Sequence, residues 1–284
     1  MELFIALEIA LVVVVLSYFL FKNFFKDQYK VIEDLKSKAQ YEEALKRLLK
    51  LYQKNKDDVR VIYELAEVNR ILKNNLEAVG YYLKLIEKDA FPPIVTKGEV
   101  LKNIGLIFLE EKKVKEAFYY LYYASYFLPA DKDLNYSLFK ILMKEGNYNL
   151  ADTFGQRALP FYSKDSVFLT DLAFVKLELN RYGDSIELLE KVGNKSLKSK
   201  VLLAFTLLKL GGYKRALDIV LPILTEENIP DNVMYIVYKI VIYSNIYLKN
   251  FSETMKYWDQ FLSFATSKGL GNIVREIGFG IFMT

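Results

Sequence analysis

Apolar residues recur along most of this chain at the three-to-four-residue spacing of one helix face. The pattern runs over residues 25–268, and short polar turns interrupt it repeatedly. The prolines all lie beyond the first apolar stretch, and most of them fall in gaps between predicted helices. Helices joined by turns this short are expected to fold back on each other as antiparallel hairpins. The pattern therefore predicts an all-α fold.

The stretch at residues 3–21 is different, because it is apolar on every helix face. It reads LFIALEIALVVVVLSYFLF, with Glu8 as its single charge. A helix of this length spans about 28 Å, close to the hydrocarbon thickness of a bilayer. A basic leading region and a small-residue cleavage site, which mark a secretory signal peptide, are missing. We therefore predict an uncleaved transmembrane helix in contact with lipid, in which Glu8 reaches the interface, becomes protonated or pairs with a second membrane helix.

The charges beside this span predict its orientation. Lys22, Lys26 and Lys30 follow it, and no basic side chain precedes it. The positive-inside rule then places the rest of the chain in the cytoplasm. The predominance of Lys over Arg is typical of an AT-rich bacterial genome, so the expected location is the bacterial inner membrane, crossed once. A folded domain can be exported despite three lysines, and a periplasmic body stays open as the alternative.

The third predicted hairpin carries a spaced series of large, small and aromatic residues, followed by a proline: Leu101, Ile104, Gly105, Phe108, Ala117, Leu121, Ala124 and Pro129. This series resembles the tetratricopeptide consensus, position for position. The spacing has a physical reason. The two helices of such a hairpin cross closely, and only small side chains let their backbones approach at the crossing.

The small position of the second helix can be followed through the chain at Ala44, Ala78, Ala117, Ala151, Ser185, Ala216 and Thr254. The intervals lie near the family period of about 34 residues. The resemblance covers residues 25–268 and implies a right-handed α-solenoid of about seven hairpins, or about fourteen helices after the anchor. The packing residues that it implies at the helix crossings are Ala66, Ala78, Gly105, Ala117, Ala173, Ser185, Ala204 and Ala216.

Three regions follow from these patterns. Residues 1–24 form the predicted anchor, residues 25–268 the solenoid, and residues 269–284 an apolar C-terminal segment. Four glycines interrupt that last segment. We expect it either to cap the solenoid or to bind a partner.

Composition narrows the function classes. The chain has 39 basic and 35 acidic residues, and its net charge of +4 is spread along the sequence rather than concentrated in a basic stripe. It has no Cys and no His, which removes thiolate ligands, cysteine nucleophiles and the commonest general base. The sequence has no phosphate-binding glycine loop and no known catalytic motif. We therefore expect no enzyme activity, cofactor, metal, nucleic acid or small-molecule substrate.

In the tetratricopeptide family the first helix of each hairpin lines the concave face. The early repeats place mainly polar residues there, namely Arg60, Tyr63, Glu67, Arg70, Lys102, Tyr136 and Lys140. The late repeats place mainly apolar ones, namely Phe174, Leu177, Val201, Phe205, Leu208, Tyr243 and Ile246. An apolar groove exposed to water is expected to be filled, either by a partner peptide or helix or by residues 269–284.

A second aromatic feature lies outside this groove. Residues 118–127 read FYYLYYASYF, and the inward positions are already occupied by small and aliphatic residues. The remaining tyrosines are expected either to cover the joints between hairpins or to form an exposed patch.

These features together favour a membrane-anchored scaffold or adaptor that binds and positions partner proteins at the inner membrane. Two alternatives stay open. One is a chaperone or secretion accessory factor with a periplasmic body. The other is a structural subunit of a large envelope assembly, since an anchored repeat architecture of this composition is similar to the periplasmic collar of a spirochaetal flagellar motor.

The anchor hypothesis can be checked by fractionation. The full chain should stay with membranes after carbonate and high-salt washes, because residues 3–21 would be held by the hydrocarbon core. Residues 25–284 alone should be soluble. Recovery of the full-length chain in the soluble fraction, with its N-terminus intact, would contradict the hypothesis.

Overall fold

The computed structural model describes residues 13–14 and 28–269, and fourteen α-helices lie in the second range. Within these residues there is no strand. Helix α1 covers residues 28–37. The others are α2 (Tyr41–Lys54), α3 (Val59–Ile71), α4 (Asn75–Lys88), α5 (Lys97–Glu110), α6 (Val114–Ala124), α7 (Lys132–Lys144), α8 (Tyr148–Tyr162), α9 (Ser166–Glu178), α10 (Tyr182–Glu190), α11 (Leu197–Leu210), α12 (Tyr213–Val220), α13 (Asp231–Tyr247) and α14 (Phe251–Ser267). The predicted all-α fold is confirmed.

The predicted anchor is outside this description. Apart from Val13 and Val14, residues 3–21 are not among the described residues, and neither are Glu8, Lys22, Lys26 and residues 270–284. Lys30 is described and lies exposed on α1. None of the helices described is both long and apolar enough to cross a membrane. The anchor and its orientation therefore stay predictions.

The helices pair as seven antiparallel hairpins, divided between two compact units. The first unit, up to Pro129, holds α1–α2, α3–α4 and α5–α6. The second unit, from Ala130, holds α7–α8, α9–α10, α11–α12 and α13–α14. Within each unit the second helix of one hairpin packs on the first helix of the next. In the second unit α11 also contacts both α9 and α13, so these three first helices form a row.

One turn geometry closes all seven described hairpins. The residue two positions before each second helix has a positive φ: Ala39, Lys73, Lys112, Gly146, Asn180, Gly211 and Lys249. The next amide donates to the carbonyl five residues earlier, as in Asn74 N to Asn69 O at 2.9 Å and Gly212 N to Leu207 O at 2.8 Å. This is the Schellman pattern that ends a helix and satisfies its last carbonyls. Each turn lies five residues before the small position of the second helix.

Side chains also fix where the first helices begin. Helices α3, α5, α7, α9 and α11 each start at a residue whose side chain accepts a hydrogen bond from a backbone amide of the first turn: Asp58, Thr96, Asp131, Asp165 and Ser196. Such caps satisfy amides that have no partner within the helix. Side-chain caps that start a helix and turns that end one therefore alternate along the chain, and their spacing sets the length of the hairpins.

The predicted packing residues are all buried: Ala66, Ala78, Gly105, Ala117, Ala173, Ser185, Ala204 and Ala216. At α5–α6 the approach is so close that a Cβ added to Gly105 would lie 2.6 Å from Leu121 Cγ. At α9–α10 the Ser185 hydroxyl donates to the Ala173 carbonyl over 2.8 Å. Both contacts need backbones in near contact, which is what small residues allow.

In hairpin α7–α8 the two helices also approach closely, but the small residue that allows this is at a different position. Its first-helix position holds Phe139, which is fully buried. The space comes from Gly155 on α8, where an added Cβ would lie 3.1 Å from the Phe139 ring and 2.6 Å from Leu172 Cδ1. The small residue has moved to the partner helix.

Replacing Gly105 by Ala should test the helix crossing. The new methyl group would collide with Leu121, whose backbone nitrogen is also only 3.1 Å away. We expect a loss of about 1–3 kcal/mol in the free energy of unfolding, measured by denaturant titration. Gly80→Ala is the matched control. It lies in α4 with no atom near the added Cβ, and it should stabilise the protein by about 0.5–1 kcal/mol. Equal effects from the two substitutions would contradict a close crossing at Gly105.

Candidate functional site

Three first helices of the second unit line an open, mainly apolar cavity of about 650 Å³. Four of the residues predicted for the apolar groove lie on its wall: Phe174 and Leu177 from α9, and Val201 and Phe205 from α11. The sequence interpretation missed Leu202 on α11 and Val233 and Ile236 on α13, which also line it.

A smaller cavity of about 400 Å³ continues the first one. The two share Phe205 and Lys239, and the second adds Leu208 and Tyr243, both predicted for the groove. We call the two cavities together the apolar groove. Ile246 lies outside it and packs against the core between α13 and α14.

The periodicity of α11 explains why its side of the groove is apolar. Val201, Phe205 and Leu208 are spaced by four and three residues and so project from one helix face. Ala204 and Leu207 occupy the neighbouring face and are buried in the core. The helix is therefore apolar on more of its circumference than core packing alone requires.

The rim of the groove carries charge. Lys198, Lys209 and Lys239 lie along it, and Glu178 is the one acidic residue among the described residues that line it. Lys209 Nζ is 5.5 Å from the centre of the Phe205 ring, within the range of a cation–π contact. The polar boundary is thus more basic than acidic.

One carboxylate, bonded to the groove residue Lys198, connects three hairpins of the second unit. Asp171 on α9 accepts a hydrogen bond from Lys140 on α7 at 2.5 Å and another from Lys198 on α11 at 2.7 Å. Its side chain is only 2% exposed. Burial by itself would raise the pKa of Asp171, but the hydrogen bonds and charges of the two lysines outweigh burial, and the pKa lies below its ordinary value of 3.8.

The residues predicted as a polar groove are divided between the two units. In the first unit Glu67 accepts hydrogen bonds from Arg70 at 2.8 Å, from Asn103 at 2.9 Å and from the Tyr82 hydroxyl. Arg60 pairs with Glu33 at 2.8 Å. Tyr63 and Lys102 are half-buried, and burial raises the pKa of Tyr63. Most of these groups are therefore already paired within the unit.

Tyr136 and Lys140 belong to the second unit. Tyr136 stacks on Tyr162 with ring centres 4.8 Å apart and also contacts Phe168. Lys140 is the residue that bonds to Asp171. Neither of them contributes to the apolar groove.

The aromatic helix α6 divides its side chains between two environments. Tyr120 packs on the core and stacks on Phe108. Tyr119 and Tyr123 on α6 are exposed, and so are Tyr126 and Phe127 in the turn that follows it. The exposed-patch alternative therefore holds for part of this segment. No cluster of acidic side chains that could hold a metal ion occurs among the residues described.

No family model matches the chain. No curated protein matches it. Among solved structures, that of Naa15/Naa10 bound to HypK-THB has a TM-score of 0.57 at 13% identity, covering 88% of this chain and 38% of that one. The structure of MamA AMB-1 has a TM-score of 0.50 at 16% identity, covering 61% of this chain and 96% of that one. A tetratricopeptide repeat protein from Parabacteroides merdae ATCC 43184 has a TM-score of 0.49 at 12% identity, covering 89% of this chain and 98% of that one.

At these identities the similarities concern the fold alone. The repeat type follows from the chain's own geometry, because paired helices cross at small residues, close with one turn type and stack in order. The fold is tetratricopeptide-like. In both units the residues predicted to bind a partner lie on the first helix of each hairpin.

Asp171→Asn should reveal what the buried carboxylate contributes. At neutral pH the free energy of unfolding should fall by about 1–3 kcal/mol, because charge-assisted hydrogen bonds to two lysines are lost. A lowered folded-state pKa stabilises the protein above the unfolded-state pKa, and this stabilisation disappears as the pH falls through the folded value. The difference between wild type and variant should therefore shrink below pH 3.8. Asp218→Asn, at an exposed site on α12, should leave stability nearly unchanged. A difference that persists at low pH would contradict this role.

Proposed function

We propose that this chain is a membrane-anchored scaffold or adaptor that binds a partner protein in the apolar groove of its second unit. The observation that carries the proposal is the groove itself. Three successive first helices, α9, α11 and α13, present apolar side chains to an open surface, with lysines along the rim. A surface of this kind favours a partner segment that buries its own apolar side chains there.

The chemistry of the groove suggests the type of segment. Phe174, Phe205 and Ile236 provide large apolar contacts without hydrogen-bonding groups. An amphipathic helix satisfies its own backbone and presents apolar side chains at intervals of three and four residues. The basic rim favours acidic residues at the edges of that helix, because opposite charges assist encounter and register. The Naa15/Naa10 structure of the same fold contains bound HypK-THB, which is consistent with a protein partner.

The membrane anchor supplies the second part of the proposal. Residues 3–21 would hold the chain at the inner membrane, and the lysines after them favour a cytoplasmic body. Tethering raises the local concentration of a partner that is itself at the membrane, so a moderate affinity in the groove is sufficient. This is the arrangement expected of a protein that positions others.

Phe174→Glu combined with Phe205→Glu should abolish capture of the partner from detergent-solubilised membranes. Both rings line the larger cavity, and a carboxylate there would be desolvated by an apolar ligand. Stoichiometric recovery would be measured by affinity purification and mass spectrometry, with a thermal melt to show that the variant is folded.

Leu210→Glu is the matched control, because Leu210 is 58% exposed at the end of α11 and lies outside the groove. It should retain the partner. If the groove variant recovers as much partner as the wild type does, the groove is excluded as the binding site. Capture of many unrelated clients, lost together in the groove variant, would instead indicate the chaperone function with a periplasmic body.

A further inference from the structure

We infer that residues 270–284 occupy the apolar groove of the second unit when no partner is bound, so that the chain's own tail competes with the partner. The inference rests on the proposed function in one respect: the tail and the partner would bind the same surface. Three observations support it. They are the place where the tail leaves the described structure, the spacing of its apolar residues, and the length of chain that it provides.

The tail begins beside one wall of the groove. Helix α14 ends at Ser267, and Gly269 has a φ of +68°, in the left-handed region that favours glycine. Lys268 Nζ lies 3.1 Å from Asp231 Oδ1, the carboxylate of the first residue of α13. Val233 and Ile236, which line the groove, follow within the first turns of that helix. The ion pair therefore brings the end of the described residues close to the first residue of α13.

The tail sequence has the pattern of a ligand for such a groove. Its apolar residues Leu270, Ile277 and Ile281, with the adjacent pair Ile273 and Val274, recur at intervals of three or four residues. In a helix they would form one stripe, with Asn272, Arg275 and Glu276 on the opposite side. Phe279, Phe282 and Met283, near the end of the tail, would lie outside this stripe. This is the arrangement by which an amphipathic helix binds a hydrophobic groove.

The length of the tail also fits. Residues 270–284 would form a helix about 22 Å long. Neighbouring packed helices are about 8–10 Å apart, so the row α9, α11, α13 is about 20 Å across. A helical tail that starts at α13 can therefore reach α9.

The glycines of the tail would make its binding reversible. Gly271, Gly278 and Gly280 lie within the stretch that would become helical. Each glycine costs backbone entropy when the helix forms, which weakens docking without changing the apolar stripe. A partner helix with fewer glycines would bind the same surface more tightly and displace the tail. The groove would thus be covered in the free protein and available to the partner.

The competing arrangement places the tail elsewhere. Phe251 and Met255 are exposed on α14, and a tail folded against them would cap the last hairpin instead of filling the groove. The two arrangements bring the same tail residues next to different helices, so a proximity measurement separates them.

Disulfide trapping in the full chain, reconstituted in lipid nanodiscs, provides that measurement. The chain has no cysteine, so an introduced pair reports without background. Ile273→Cys or Ile277→Cys would be combined in turn with Leu202→Cys in the groove, Met255→Cys on α14, or Leu76→Cys, an exposed site in the first unit. We expect intramolecular disulfides to form fastest with Leu202→Cys, as followed by non-reducing gels and mass spectrometry. Faster trapping with Met255→Cys, or no preference over Leu76→Cys, would overturn the inference.

Accessibility of the groove gives an independent measurement. The reactivity of Leu202→Cys towards a maleimide should rise several-fold when Ile273→Asp and Ile277→Asp disrupt the apolar stripe. Asn272→Ala with Arg275→Ala, on the opposite side of the tail, should leave it unchanged. Equal reactivity in all three chains would refute tail docking.

Neither measurement involves a partner, so the two proposals can fail separately. Trapping at Leu202→Cys together with partner capture that ignores the groove variant would contradict the proposed function alone. Groove-dependent capture without trapping would contradict the tail inference alone.

Discussion

The close approach of the two helices within each hairpin is the constraint on which the rest of the structure depends. At Gly105 and at Ser185 the helices are near enough for backbone contact. The repeated turn places the start of the second helix at a fixed distance from that crossing. Turn and crossing therefore act together and fix the tilt of each hairpin. With the tilt fixed, successive first helices in the second unit lie in a row, and their outward faces form one groove rather than separate patches.

The two units use their first helices in different ways. In the first unit Glu67 gathers three donors, so the polar face is largely satisfied by its own side chains. In the second unit the corresponding surface is apolar, with Phe174 and Phe205 open to solvent on one side. Apolar surface lowers the free energy when it is covered, whereas paired polar groups gain little from a new partner. The contrast supports the apolar groove of the second unit as the proposed binding surface.

The number of helices and most crossing positions could be predicted because they depend on local spacing. Phe174 and Phe205 were predictable for the same reason. Other features could not be predicted, because they depend on contacts between helices or on backbone conformation that the spacing of residue types does not encode. The exchange of Phe139 and Gly155 is visible only when both helices are seen together. Asp171 has its lysines 31 and 27 residues away, and no rule of spacing pairs them. Val233 was missed because α13 has 17 residues against 14 in α11, which adds a turn at its start. Ile236 was missed because only Tyr243 and Ile246 were predicted from this helix. The positive φ values at Lys73 and Lys112 could not be predicted either, because no glycine in the sequence marks these positions.

The carboxylate of Asp171 has a consequence for how the second unit comes apart. In a linear stack of repeats each hairpin is held mainly by its neighbours, and the ends can open while the middle stays folded. A charge shared between α7, α9 and α11 strengthens two successive interfaces at once. Opening of the terminal hairpin should therefore stop at α11, and three hairpins should melt as one cooperative block. The groove walls formed by α9 and α11 belong to this block, whereas the α13 wall belongs to the hairpin that opens first.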